Sequence, residues 1–233
     1  MAREEETAHQ LRRLAALGGS VLVSTSLVNI WAAKSTVDRT LYVSGLGADG
    51  EPTARWFEIA LLLLVAGGYA VAWALRGACA TGRWTPASSV ALASSFFLVA
   101  SQVPCTYGCP VPLGDTFSWQ DLTHVVSAVA GFSSAVLAMA QMSLSAIHPV
   151  LRRLSRTCGA LVAVIAAAGG LSCLLGVRTD IGSLLEFVAT TVGMGWLVVI
   201  GVAVAVSRGE RERPAPEGEA VRSDRDPAGV GSR

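Results

Sequence analysis

"EIALLLLVAGGYAVAWAL", residues 58–75, decides the fold. Its one charge stands at the first position, and everything after it is apolar or small apart from Tyr69. A bilayer core of about 30 Å needs roughly 20 mostly apolar residues per crossing helix. The stretch meets that requirement once Trp56 and Phe57 are added. The rest of the chain repeats the pattern. Of its 233 residues, 52% are hydrophobic and 15% charged, against roughly 25% charged in ordinary soluble domains. The charges gather in short segments between runs of Leu, Val, Ala and Gly.

Six candidate spans follow: 14–33, 56–75, 86–103, 121–147, 158–177 and 182–206. None has Lys or Arg in its interior. Lipid offers no partner to an exposed backbone, so each span is expected to be helical. The predicted fold is all-α, a polytopic membrane bundle of six transmembrane helices. Residues 1–13 form a head and 207–233 a tail. The tail mixes six Arg with six acids, Pro and Gly. It holds too little apolar surface to build a core, so it is expected to be disordered. The first apolar run is longer than the 7 to 15 residues of a signal-peptide core, so it reads as a retained span.

Fourteen of the eighteen basic residues fall in the head, the second and fourth loops and the tail; Lys34, Arg39, Arg55 and Arg178 fall opposite. The positive-inside rule therefore puts both termini in the cytoplasm of a cell-membrane protein, and an even number of spans agrees. A net charge of +1 gives no argument for nucleic acid as a partner. Membrane lipids are the expected surroundings. Small residues recur at spacing four in Ala66/Ala70/Ala74, Ser127/Gly131, Ala130/Ser134 and Ala166/Gly170. Such pairs let helices approach closely, chiefly inside the bundle, with a homo-oligomer face as the alternative.

The loops opposite the termini are the informative ones. The first, about 22 residues long with Gly45, Gly47 and Gly50, exceeds the usual 2–8 residues of a helix connection. It is expected to fold over the mouth of the bundle. The third contains "SQVPCTYGCPVPLGD", residues 101–115. On an oxidising side, Cys105 and Cys109 can hold a disulfide, a spacing of four being feasible if Gly108 turns the chain. A structural disulfide is the leading reading. A redox pair and a metal site are the alternatives, with His124 the nearest possible further ligand. Cys79, Cys158 and Cys173 lie elsewhere, although Cys173 falls toward the outer end of the fifth span.

Four titratable residues fall at one depth near the outer interface: Glu58, Asp121, His124 and Glu186. Ionisable groups within spans are costly and by default suggest function. Asp121 and His124, three apart, share a helix face. Ser118 can cap that helix, and Asp121 suits its N-terminal dipole. His124 is expected to pair with Asp121, and Glu186 with His124 or Arg178. The four groups suggest a polar pocket roofed by the two loops. A bis-His haem is not expected, since His124 and His148 lie roughly 36 Å apart along one helix and His9 is in the head. No phosphate-binding loop, zinc-protease motif or nucleophile elbow is present, and three-ligand zinc chemistry lacks its histidines. No cofactor or metal is expected.

"LYVSGLGADGEPTARWFEIALLL", "VPCTYGCPVP" followed by "DLTHVVSAVAGF", and "GSLLEFVATTVGMGWL" resemble the bacterial membrane-protein family called domain of unknown function 998. The resemblance runs from about residue 14 to 206 and implies a six-span fold. It points to Ser44, Leu46 and Gly47 in the first outer loop, to His124 at the start of the fourth span and to Glu186 near the start of the last. The chain departs from the family pattern at Gly45, where an acid is common, and at Phe187, where Arg is common. The resemblance brings no activity with it. The expected function is a polar outer pocket that binds or passes a lipid or small molecule. A membrane enzyme, using Cys105/Cys109 for redox or Asp121/His124 for acid–base chemistry, and a transporter are the alternatives.

Overall fold

In lipid each apolar run must satisfy its backbone internally, and each folds as a helix. The computed structural model describes residues 2–76, 84–110, 115, 117–145, 148–175 and 179–211. The helices are α1 (Ala2–Ser35), α2 (Ala54–Leu75), α3 (Pro86–Gln102), α4 (Trp119–Leu144), α5 (Pro149–Leu174) and α6 (Thr179–Arg211), with one 3₁₀ turn at Ser44–Gly47. No strand occurs among the described residues. Five helices are long and apolar enough to cross a membrane. The sixth, α3, has 17 residues, roughly 25 Å at 1.5 Å per residue.

Helix ends explain where expected boundaries shift. Thr85 caps α3 by accepting from the Ser88 amide at 3.3 Å, and Pro86 takes the first helical position, where its missing N–H costs nothing. The fifth helix starts at Pro149, well before residue 158, so Arg152, Arg153 and Arg156 belong to its first turns and not to a loop. The head is a helical extension of α1, and α6 continues past residue 206 to Arg211. Cys79, Arg83, Arg178, the side chain of Cys173 and the tail from residue 212 lie outside the described residues.

Consecutive helices pack as antiparallel neighbours, and α6 returns to α1, so the six helices close a ring. The closest approaches fall on glycines. A Cβ on Gly67 would stand 2.7 Å from the Gly19 carbonyl oxygen, and one on Gly19 would stand 2.8 Å from that of Gly67. Likewise a Cβ on Gly201 would meet Ser20 Oγ at 2.3 Å, and one on Gly68 would meet Ser94 Oγ at 2.2 Å. Of the small-residue pairs read from sequence, Ser127/Gly131 is buried, whereas Gly170 is exposed with open space at its Cβ. At the α1–α2 contact the nearest atom to each added Cβ is a backbone carbonyl oxygen, which cannot rotate aside as a side chain can. Gly67→Ala is therefore expected to destabilise the protein by about 1–3 kcal/mol, the usual cost of overpacking, measured as a lower unfolding midpoint in detergent.

Hydrogen bonds tie the ring together where lipid offers none. Ser26 Oγ donates to the Ala60 carbonyl at 2.6 Å, and the indole N–H of Trp196 to Ser155 Oγ at 2.9 Å. The outward faces carry Val21 and Val28 of α1, Val164 and Leu171 of α5 and Val206 of α6. Trp31, Trp56 and Trp119 are exposed at the end holding loops 1 and 3, and Trp73 and Trp84 at the other. Two aromatic rims separated by an apolar belt are the surface of a protein embedded in a bilayer.

Candidate functional site

Glu58, Cys105, Cys109, Asp121, His124 and Glu186 lie at one end of the ring, and Asp121 organises much of it. Ser118 caps α4, its Oγ accepting from the Asp121 amide at 3.0 Å and donating back to Oδ2 at 2.6 Å. The other partners come from the Cys loop: the Thr106 amide donates to Oδ1 at 2.7 Å and the Thr106 hydroxyl to Oδ2 at 2.9 Å. The carboxylate is buried and its oxygens are taken, so it fastens loop 3 to α4.

Cys105 and Cys109 form a disulfide with Cα atoms 5.1 Å apart. Gly108 and Cys109 both adopt positive φ, 81° and 49°, the turn that closes so short a loop. Cys105 Sγ lies 3.8 Å from the Ser44 carbonyl oxygen, and Cys109 Sγ lies 3.9 Å from the Ser44 hydroxyl. The bridge thus sits on the 3₁₀ turn of loop 1. Ligand atoms of Cys105, Cys109 and His124 lie within 4.8 Å of one another. Bonded to each other, the sulfurs are not the thiolates that a metal takes.

Loop 1 is held on three sides. The Asp49 amide donates to the Cys105 carbonyl at 2.9 Å, and Gln120 Nε2 bridges Asp49 Oδ2 and the Pro104 carbonyl. Arg39 pairs with the buried Glu51 and reaches the Tyr107 hydroxyl at 3.1 Å. These contacts push the Arg39 pKa upward, Glu51 contributing most. On the α6 side the Ser183 hydroxyl donates to the Leu41 carbonyl at 2.5 Å. Glu186 Oε2 accepts from the Val43 amide at 2.8 Å, and the Ser44 amide and hydroxyl face the same carboxylate. Glu186 therefore caps the start of the 3₁₀ turn. Phe187 packs against Trp31 at 5.4 Å between ring centroids, and Lys34 Nζ lies 5.8 Å from its ring.

Inside the ring is a cavity of about 100 Å³, lined by residues from all six helices and from loop 1. Its walls are apolar, including Ile30, Leu64, Phe97, Phe132, Val162 and Met194. Polar groups gather toward the loop end: Ser44, His124, Glu186 and Thr190. Thr190 Oγ1 is buried and has no partner among the described residues. His124 Nδ1 lies 2.8 Å from the Val103 carbonyl and 3.1 Å from that of Ala100. Carbonyls only accept, so Nδ1 carries a proton and donates it to them.

Beside the cavity, between the start of α2 and the end of α3, lies a cleft of about 360 Å³. Asp49, Arg55, Glu58 and Gln102 give it a polar lining. Phe57, Leu61, Ala100 and His124 line both spaces. Glu58 pairs with Arg55 at 2.7 Å.

The four residues expected to converge therefore separate. His124 and Glu186 border the cavity, Glu58 borders the cleft, and Asp121 borders neither. Instead of pairing with Asp121, His124 turns Nδ1 to the last carbonyls of α3, because these lack intrahelical donors. Glu186 meets backbone amides; Arg178, its other expected partner, lies outside the described residues. Leu46 is fully buried, and Gly47 lies against Phe57, where a Cβ would come within 2.4 Å of the ring. Phe57, Thr190 and Gly193 also line the cavity. Sequence reading passed over them because apolar and small residues in a span look like ordinary packing. The spacing of Glu186 and Thr190, one helical turn, was the one available signal.

Six apolar helices closed around an internal cavity, with polar groups at one end, define an integral membrane protein of polytopic helical type. The sequence profile of the family described as "protein of unknown function (DUF998)" matches residues 12–203, and the chain belongs to that family. No curated protein and no solved structure matches it significantly.

Proposed function

We propose that the protein binds an amphiphile from the membrane, holding apolar carbons in the central cavity and a polar group at the loop end, on the side of His124, where cavity and cleft meet. The observation that carries this reading is a cavity bordered by every helix, apolar over most of its wall, with Ser44, His124 and Glu186 at its loop end. An unpartnered, buried Thr190 hydroxyl adds to it, since such a group is costly without a hydrogen-bonding guest. An apolar cavity of about 150 Å³ takes benzene, so one near 100 Å³ takes roughly four carbons. The rest of the molecule then extends toward the cleft. On this reading the Cys105–Cys109 bridge clamps a lid. The loop end faces the extracytoplasmic side of the cell membrane, as the distribution of Arg and Lys favours.

Gly193 provides the test. It lines the cavity, and a Cβ there meets only Met139 Cε, at 4.0 Å. Gly193→Leu is expected to fill the space without straining the ring. Native mass spectrometry of the full chain released from membranes should show a retained small amphiphile. Its occupancy should fall about tenfold in Gly193→Leu, about 1.4 kcal/mol of binding. Equal occupancy in the two proteins contradicts the reading.

A further inference from the structure

The cavity and the cleft share one wall, and the residue in that wall with the largest ring is Phe57. Phe57 is buried. Its place depends on Gly47, because any Cβ there would stand 2.4 Å from Phe57 Cδ1. Leu46, beside Gly47, is fully buried, and the Thr53 hydroxyl holds the Leu46 carbonyl at 2.7 Å. The turn is therefore fixed from both sides, and the ring is seated against it.

The cleft is also chemically unlike the cavity. Its lining carries two carboxylates, Asp49 and Glu58, and one guanidinium, Arg55. That guanidinium is already paired with Glu58 at 2.7 Å. Asp49 has one oxygen on Gln120 Nε2. His124, which borders both spaces, has its Nδ1–H committed to backbone carbonyls. Two carboxylates stand against one guanidinium along the lining. A phosphate head placed there would face carboxylates with Arg55 already engaged, and like-charge contacts of that kind are costly. An ammonium head finds unmatched negative charge.

Resting on the amphiphile reading above, we propose that the α2–α3 cleft is the head-group site and side entrance for an alkylammonium-type amphiphile, with Phe57 as the gate its tail passes. The tail moves from the cleft into the cavity when the ring swings, and the head remains at Asp49 and Glu58. Gly47 is a positioning residue for that gate. No covalent step is involved.

The test uses the full chain in phosphatidylcholine nanodiscs and two photolabels with the same octyl tail ending in a diazirine. One carries a trimethylammonium head and the other a phosphate. Labelled positions are mapped by mass spectrometry, with lipid-facing Val164 as the internal standard. The ammonium label is expected to reach Phe132 and Met194 about tenfold more than the phosphate label, given the cost of like-charge contacts. Phe57→Trp should lower that cavity labelling severalfold, and Phe57→Ala should raise it, both relative to Val164. The opposed variants keep the test usable if one of them folds poorly. Equal cavity labelling by both heads, or no response to either Phe57 variant, overturns the entrance and its head-group preference while leaving cavity binding intact. Labelling at Val164 with none in the cavity from either probe overturns the amphiphile reading beneath it.

Discussion

Asp121→Ala is expected to destabilise the protein by about 3–5 kcal/mol, because hydrogen bonds to a charged acceptor contribute about 1.5–3 kcal/mol each and several are lost together. The Thr106 amide, the Thr106 hydroxyl and the Ser118 hydroxyl all donate to this carboxylate. Removing it leaves these donors near a buried site, and the desolvation cost remains after the bond is gone. The effect should concentrate on loop 3, since Asp121 joins that loop to α4 through both Thr106 donors. Chemical unfolding in detergent measures the global loss. Faster reduction of the Cys105–Cys109 bridge measures the local one. Asp121→Asn keeps an acceptor for the Thr106 amide and should lose roughly half as much. A variant that unfolds like the original protein and keeps its bridge equally protected would show that loop 3 is held by something else.

The second large effect is expected at Glu186. In Glu186→Ala the Val43 amide loses its acceptor, and the 3₁₀ turn at Ser44–Gly47 loses the group that closes its N-terminus. The cost is about 1–3 kcal/mol for an unsatisfied buried donor. It should appear locally, as hydrogen exchange across residues 43–47 faster by about tenfold or more, since each 1.4 kcal/mol is a factor of ten. Glu186→Gln retains a carbonyl oxygen at the same place and should restore much of the protection. Unchanged exchange in Glu186→Ala would mean that the turn is held by the other contacts of loop 1, those of Ser183 and Asp49 among them.

Apolar length and charge spacing made the fold legible. A residue in a bilayer has few ways to satisfy its backbone, so composition alone points to helices. Helix ends were harder. Arg152, Arg153 and Arg156 read as a loop because charge is a poor span former, yet charged residues extend a helix readily once it leaves the hydrocarbon. The disulfide was legible because four residues with a glycine between can close a ring. The candidate site was legible only in part. Depth along a helix can be counted from sequence, and it brought His124 and Glu186 to one level. Direction around the helix depends on neighbours, and it turned Asp121 toward Thr106 and Glu58 toward the cleft. The cavity itself comes from what six helices leave unfilled, and no single segment records that. Phe57, Thr190 and Gly193 matter because of that space.

The central claim is that apolar carbons of a guest lie inside the ring with its polar part at the loop end. The most direct measurement is an electron cryomicroscopy map of the full chain in nanodiscs, made large enough to align by a bound antibody fragment. An elongated non-protein density is predicted among Phe132, Val162 and Met194, continuing past Phe57 and His124 to the cleft. A map that resolves these side chains around a space closed by protein alone, or filled by water from end to end, would contradict it.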